Sequence, residues 1–144
     1  MNVNDDELRQ MLALMESYKN RTEALSRQVT VLRSTLDEVN MANQSIKTLM
    51  EAKEGDEIMI PIGASSFMNV KVTSNKNIIV GVGSGISVEK TAEDASAYME
   101  MNAAELNEAL KKTVNALQEV QQALSTVSEA VQIEYQNRQQ APMQ

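Results

Sequence analysis

The feature that most constrains this 144-residue chain is a pair of long stretches, residues 4–53 and 91–138, that contain neither Gly nor Pro. Both repeat apolar residues with the spacing of a heptad. In the first, one seam runs Leu8, Met15, Thr22, Val29, Leu36, Asn43, Met50 and the other Met11, Tyr18, Leu25, Leu32, Val39, Ile46. Only Thr22 and Asn43 interrupt it. In the second, the seams are Met99, Leu106, Thr113, Val120, Val127 and Ala103, Leu110, Leu117, Leu124, Val131, with Thr113 as the sole polar intruder. The polar seam residues read as register markers that cost some stability.

The ends of these stretches carry helix signals. Asn4 precedes Asp5-Asp6-Glu7, an N-cap followed by carboxylates that favour the positive end of the helix dipole. Gly55 stands where a helix would stop, and Thr91-x-x-Asp94 approximates a capping box. Helices of this size run roughly 70 Å at about 1.5 Å per residue. They are too long to bury a stripe inside so small a domain, so they must bury it against each other as an antiparallel coiled-coil hairpin.

A register follows from setting Met50 opposite Met99. Ile46 then faces Ala103, Asn43 faces Leu106, Val39 faces Leu110, and the match continues through Leu32–Leu117 and Leu25–Leu124 to Tyr18–Val131. A slip of one heptad is compatible with the same stripes. In this register the seams part at the far end, where Met15, Met11 and Leu8 face Glu134, Arg138 and Ala141 beside Pro142.

Between the helices the period changes to two. Ile58-Ile60-Ile62, Met68-Val70-Val72, Ile78-Val80-Val82 and Ile86-Val88 predict four short strands, with Phe67 and Ile79 among their apolar residues. Gly63-Ala64-Ser65, Ser74-Asn75-Lys76-Asn77 and Gly83-Ser84-Gly85 supply the turns, and Pro61 suggests an edge or a bulge. The expected class is α+β: helix 4–54, two β-hairpins over 56–90, helix 92–138 and a flexible tail 139–144. So small a set of strands cannot shelter its own faces and edges, which marks the middle section as an assembly module.

The stretch "NIIVGVGSGISVEKTAED" has the parts of a phosphate loop but not their order. Such a loop needs Gly directly before Lys-[Ser/Thr] so that backbone amides wrap the phosphate. Here Glu89 precedes Lys90-Thr91, and a strand intervenes between the glycines and the helix. A tight hairpin turn, with Gly81 at a bulge or a close backbone approach, is the better reading.

The remaining chemistry is equally spare. With no Cys and no His there is no thiol nucleophile, no disulfide and no ordinary zinc site, and the carboxylates lack the alternation of a calcium loop. No catalytic residue, metal site or cofactor is expected. Net charge −7 argues against nucleic acid and anionic lipid as partners. The polar N-terminus and the lack of a long apolar run predict a soluble protein without a signal peptide, and Cys-free composition suits a reducing cytoplasm.

Two long capped helices joined by two β-hairpins, with "IPIGASSFMNVKV" followed by "IIVGVGSGISVEKTAEDA", resemble the alpha subunit of archaeal-type prefoldin; the beta type has one hairpin. The resemblance implies an ATP-independent co-chaperone of two alpha and four beta-type subunits. Its body would be an intersubunit β-barrel, and coiled-coil tips would hold unfolded polypeptide for a group II chaperonin. It further implies that Ile58, Ile60, Ile62, Phe67, Met68, Val70, Val72, Ile78, Ile79, Val80, Val82, Ile86 and Val88 serve oligomerisation. The parted seams would leave Leu8, Met11, Leu12, Met15 and Val131 with incomplete partners at the tip, available to clients. The rival reading is an oligomeric coiled-coil scaffold that binds one specific folded partner.

Overall fold

A computed structural model describes residues 3–141. The elements are α1 (Asp5–Glu51), β1 (Glu57–Gly63), β2 (Ser66–Lys71), β3 (Ile78–Gly83), β4 (Ile86–Lys90) and α2 (Ala92–Gln140). Of the expected 139–144 tail, Gln139 and Gln140 continue α2, whereas Pro142 and the residues after it lie outside the described residues. The chain divides into two compact units. One is residues 32–108; the other combines residues 3–31 with residues 109–141.

In the unit 32–108, α1 ends at Glu51, short of Gly55. Gly55 adopts a φ of 89°, and its N–H donates to the Val72 carbonyl at 2.7 Å, so the turn after the helix is tied to the end of β2. The hairpins are separate two-stranded antiparallel ladders, β1–β2 and β3–β4, with no β2–β3 pairing. They share one design. Gly63 and Gly83, at φ 101° and 108°, each follow a register shift, and each leads into a turn with two positive-φ residues: Ala64-Ser65 and Ser84-Gly85. That turn type matches the twist of the flanking strands. Gly81 sits at the second register shift, and space around it is open rather than filled by another backbone.

The core of this unit is small. Val80 of β3 packs with Ile46 of α1 and Ala92 and Ala95 of α2, flanked by Ile78, Tyr98 and Met99. The alanines at the start of α2 let the hairpin approach closely. The unit also holds Ser96, buried, whose hydroxyl donates to Asn43 Oδ1 at 2.7 Å, and an exposed Lys47–Glu100 ion pair at 3.1 Å.

In the other unit the two helix segments run antiparallel, burying Leu8, Val29, Thr113, Val120 and Val131 along the seam. The hydroxyls of Thr22 and Thr113 donate to the carbonyls of Tyr18 and Ala109 within their own helices, so these seam threonines carry no unsatisfied group. The start of α1 is a complete capping box. Glu7 N–H donates to Asn4 Oδ1 at 2.8 Å, and Asn4 N–H donates to Glu7 Oε2 at 3.0 Å.

The register differs from Met50-opposite-Met99 by the one-heptad slip. Asn43 meets Ser96 rather than Leu106, and Ile46 packs on Ala92 and Ala95 rather than Ala103. Tyr18 shares a cleft with Val120 and Ala123 rather than meeting Val131, and Asp5 reaches Arg138. A seven-residue translation leaves the apolar stripe unchanged, so the stripe alone cannot choose between the two. Asn43 decides in favour of the shifted one, because there its side chain finds a hydroxyl instead of Leu106.

Candidate interaction surfaces

The hairpins place their apolar residues in two populations. Val72 and Val80, expected at a subunit interface, are instead buried within the chain, Val80 to 2% exposure. Ile58, Ile60, Val70 and Ile78 are half-buried. With Leu49 of α1 and Met99 of α2 they line an apolar cleft of about 540 Å³. The others stand in solvent: Ile79 is 76% exposed and Phe67 60%, and Ile62, Met68, Val82, Ile86 and Val88 are exposed with them. Met59, which alternation pointed away from the core, belongs to this exposed set as well. Isolated apolar residues on a surface are ordinary, but so many on two short hairpins make a large apolar surface, spread over both faces of the ladders, that water covers poorly.

Lys90 and Thr91, the residues that raised the question of a phosphate loop, have structural partners. Lys90 Nζ lies 5.4 Å from the centre of the Tyr98 ring, and the Thr91 hydroxyl accepts from Asp94 N–H at 3.1 Å to cap α2. Glu89 accepts a hydrogen bond from the Asn77 amide across the hairpin. Among the described residues no group of His, Cys, Asp or Glu is arranged to hold a metal ion.

At the helix ends the slipped register changes the surroundings of the expected tip residues. A slip of seven residues sets Leu8 level with Glu134 and Met11 with Val131, in keeping with the contact of Asp5 with Arg138. Leu8 and Val131 are buried, at 8% and 6% exposure, while Met11, Leu12 and Met15 are half-buried. The expectation that all five lack partners is therefore corrected for Leu8 and Val131. Among the described residues, the exposed large apolar side chains near these ends are Leu14, Ile133 and Tyr135. Reading the seams alone missed them because they lie off the seam; the signal was an apolar side chain on a face that is otherwise polar.

Arg138 organises this end. Its Nε donates to Glu134 Oε1 at 2.8 Å, its Nη1 to Asp5 Oδ1 at 2.8 Å and its Nη2 to the Val3 carbonyl at 3.1 Å. Hydrogen bonding to Glu134 first, and to Asp5 second, holds the guanidinium above its ordinary pKa. A raised value adds stability that would be lost only as pH rose through it, so the arginine stays charged throughout the neutral range.

A pair of long helices joined through two β-hairpins, with apolar strand residues turned to solvent, has the build of a subunit that assembles with other chains. The Prefoldin subunit family model matches residues 18–137. The chain is 32% identical over 126 residues to prefoldin subunit alpha of Pyrococcus horikoshii, covering 82% of this chain and 85% of that protein. It is 32% identical over 108 residues to prefoldin subunit alpha of Methanothrix thermoacetophila, covering 75% and 71%. A filamentous prefoldin from Methanocaldococcus jannaschii, solved by cryo-EM, shares the fold with a TM-score of 0.62 at 22% identity, over 82% of this chain and 98% of that one. The chain belongs to the prefoldin family of co-chaperones, and its type is the archaeal alpha subunit. Among the described residues no helix is long and apolar enough to cross a membrane.

Proposed function

We propose that this chain is the alpha subunit of a hexameric, ATP-independent holdase, two alpha with four beta-type subunits, working in the cytoplasm. Its hairpins build the body, the intersubunit β-barrel. Its helix ends hold unfolded polypeptide and pass it to a group II chaperonin. The observation that carries the reading is the exposed apolar surface of the two hairpins, whose chemistry calls for other chains.

At the helix ends Leu14, Ile133 and Tyr135 offer apolar contact directly, and Met11, Leu12 and Met15 contribute adaptable edges. Contacts of this kind are weak singly, and several arms in one assembly raise their effective concentration.

The test is light scattering of a chemically denatured client diluted without nucleotide into this chain plus a beta-type subunit. Suppressed scattering, lost on changing Leu14, Ile133 and Tyr135 together to Ser while the oligomer persists, is the expected result. Retained holding by that triple variant would move the client site elsewhere. A well-formed oligomer that never suppresses scattering would favour the scaffold for one folded partner.

A further inference from the structure

The geometry points to a charge clasp at the helix ends: Arg138, paired with Glu134 and Asp5, keeps the seam shut over Leu8 and Val131, and opening it releases further apolar surface to an unfolded chain. This rests on the client-holding reading above. The helix ends thus carry two kinds of apolar residue: Leu14, Ile133 and Tyr135 are always available, whereas Leu8 and Val131 are held in reserve.

Glu134 is the buried charge at this end of the seam. It occupies a seam position, continuing the row Val120–Val127 by one heptad, and only 6% of it is exposed. A carboxylate taken from water at such a place needs a partner, and leaving it without one is strongly unfavourable. Arg138 is that partner, from one turn further along α2. The same guanidinium reaches across to Asp5 and to the Val3 carbonyl, at the capped start of α1. Among the described residues of this unit, Arg138–Asp5 is the ion pair that links α1 to α2.

The half of the clasp that crosses between the helices is weak. Asp5 is 80% exposed, and pairs so exposed to water and salt contribute little. Two consequences follow. When the guanidinium is lost, Glu134 keeps its charge only by turning to water, and because it shares the seam with Leu8, its departure uncovers Leu8. When Glu134 is replaced by an apolar residue, the drive to open disappears and the seam closes without help. The two substitutions break the same ion pair and act in opposite directions on the apolar surface that the helix ends expose.

The experiment compares the full-length assembled protein with its Arg138→Gln and Glu134→Leu variants. The probe is a permanently unfolded polypeptide, reduced and carboxymethylated lactalbumin; bis-ANS fluorescence reports apolar exposure with no client present. Arg138→Gln is expected to bind the unfolded probe more tightly, on the order of two- to fivefold as for a partly exposed pair, with brighter bis-ANS. Glu134→Leu is expected to bind it more weakly, with dimmer bis-ANS. Raising ionic strength should brighten bis-ANS for the original protein and leave Arg138→Gln unchanged, and Arg138→Lys, a single-point cation, should fall between.

Equal bis-ANS signals, or shifts of the same sign in both variants, would overturn the clasp. A clear opposite-sign response of bis-ANS with no binding of the probe by any variant would retain the clasp and overturn the client-holding reading on which its role rests.

Discussion

The two units treat the apolar residues of their sequence repeats differently. In residues 32–108 the hairpins leave large apolar side chains such as Ile79 and Phe67 in water. At the helix ends, Leu8 and Val131 are covered, and charged groups finish the seam. The difference is geometric. A two-stranded ladder has two faces and only one helix pair to lean on, so Val72 and Val80 go inward while their neighbours must wait for another chain. A helix needs to hide only one stripe, and a second helix can hide all of it.

The contrast can be broken most directly at the hairpins. Changing Ile79 and Phe67 together to Asp should leave the helical circular dichroism of the chain intact and weaken assembly by on the order of 100-fold or more. Each apolar side chain lost from an interface forfeits about 1.5–3 kcal/mol, and light scattering coupled to size exclusion reads the result. Unchanged assembly would mean that the exposed face is not the interface. Val80→Ala strikes the inward population and should act on folding instead, lowering stability by about 2 kcal/mol, seen as an earlier thermal transition of the unassembled chain.

A smaller effect sharpens the role of the polar layer. Ser96→Ala should destabilise by about 1 kcal/mol by stripping Asn43 of its partly buried hydrogen bond. The paired change Asn43→Leu with Ser96→Ala should restore most of that loss. A double-mutant cycle in denaturant checks the coupling, and additive losses would show that the hydrogen bond contributes nothing. At the helix end, Asn4→Ala removes one half of the capping box and should cost about 1 kcal/mol locally. Amide exchange over the first turns of α1 would detect it while the hairpin amides stayed unchanged.

Much of the fold was legible in the order of residues. The absence of Gly and Pro, the heptad stripes and the caps at Asn4 and Thr91 gave two helices, and the change to period two gave the strands. The candidate surfaces were only half legible. Alternation identifies which strand residues share a face, yet it cannot separate Val72, which is buried, from Met68, which stands exposed in the same row. The same period serves a face turned to the helices and one turned to another subunit. The seams likewise named Leu8 and Val131 but could not show that they are covered, and they passed over Leu14, Ile133 and Tyr135.

By itself, then, the sequence determined which segments are helix and strand and which residues form each stripe, because those follow from local periodicity and capping. The tertiary structure decided the register and, with it, everything that depends on which residues meet. A heptad shift conserves the apolar pattern, so the choice falls to contacts distant in sequence: Asn43 with Ser96, Ile46 with the alanines that open α2, and Asp5 with Arg138.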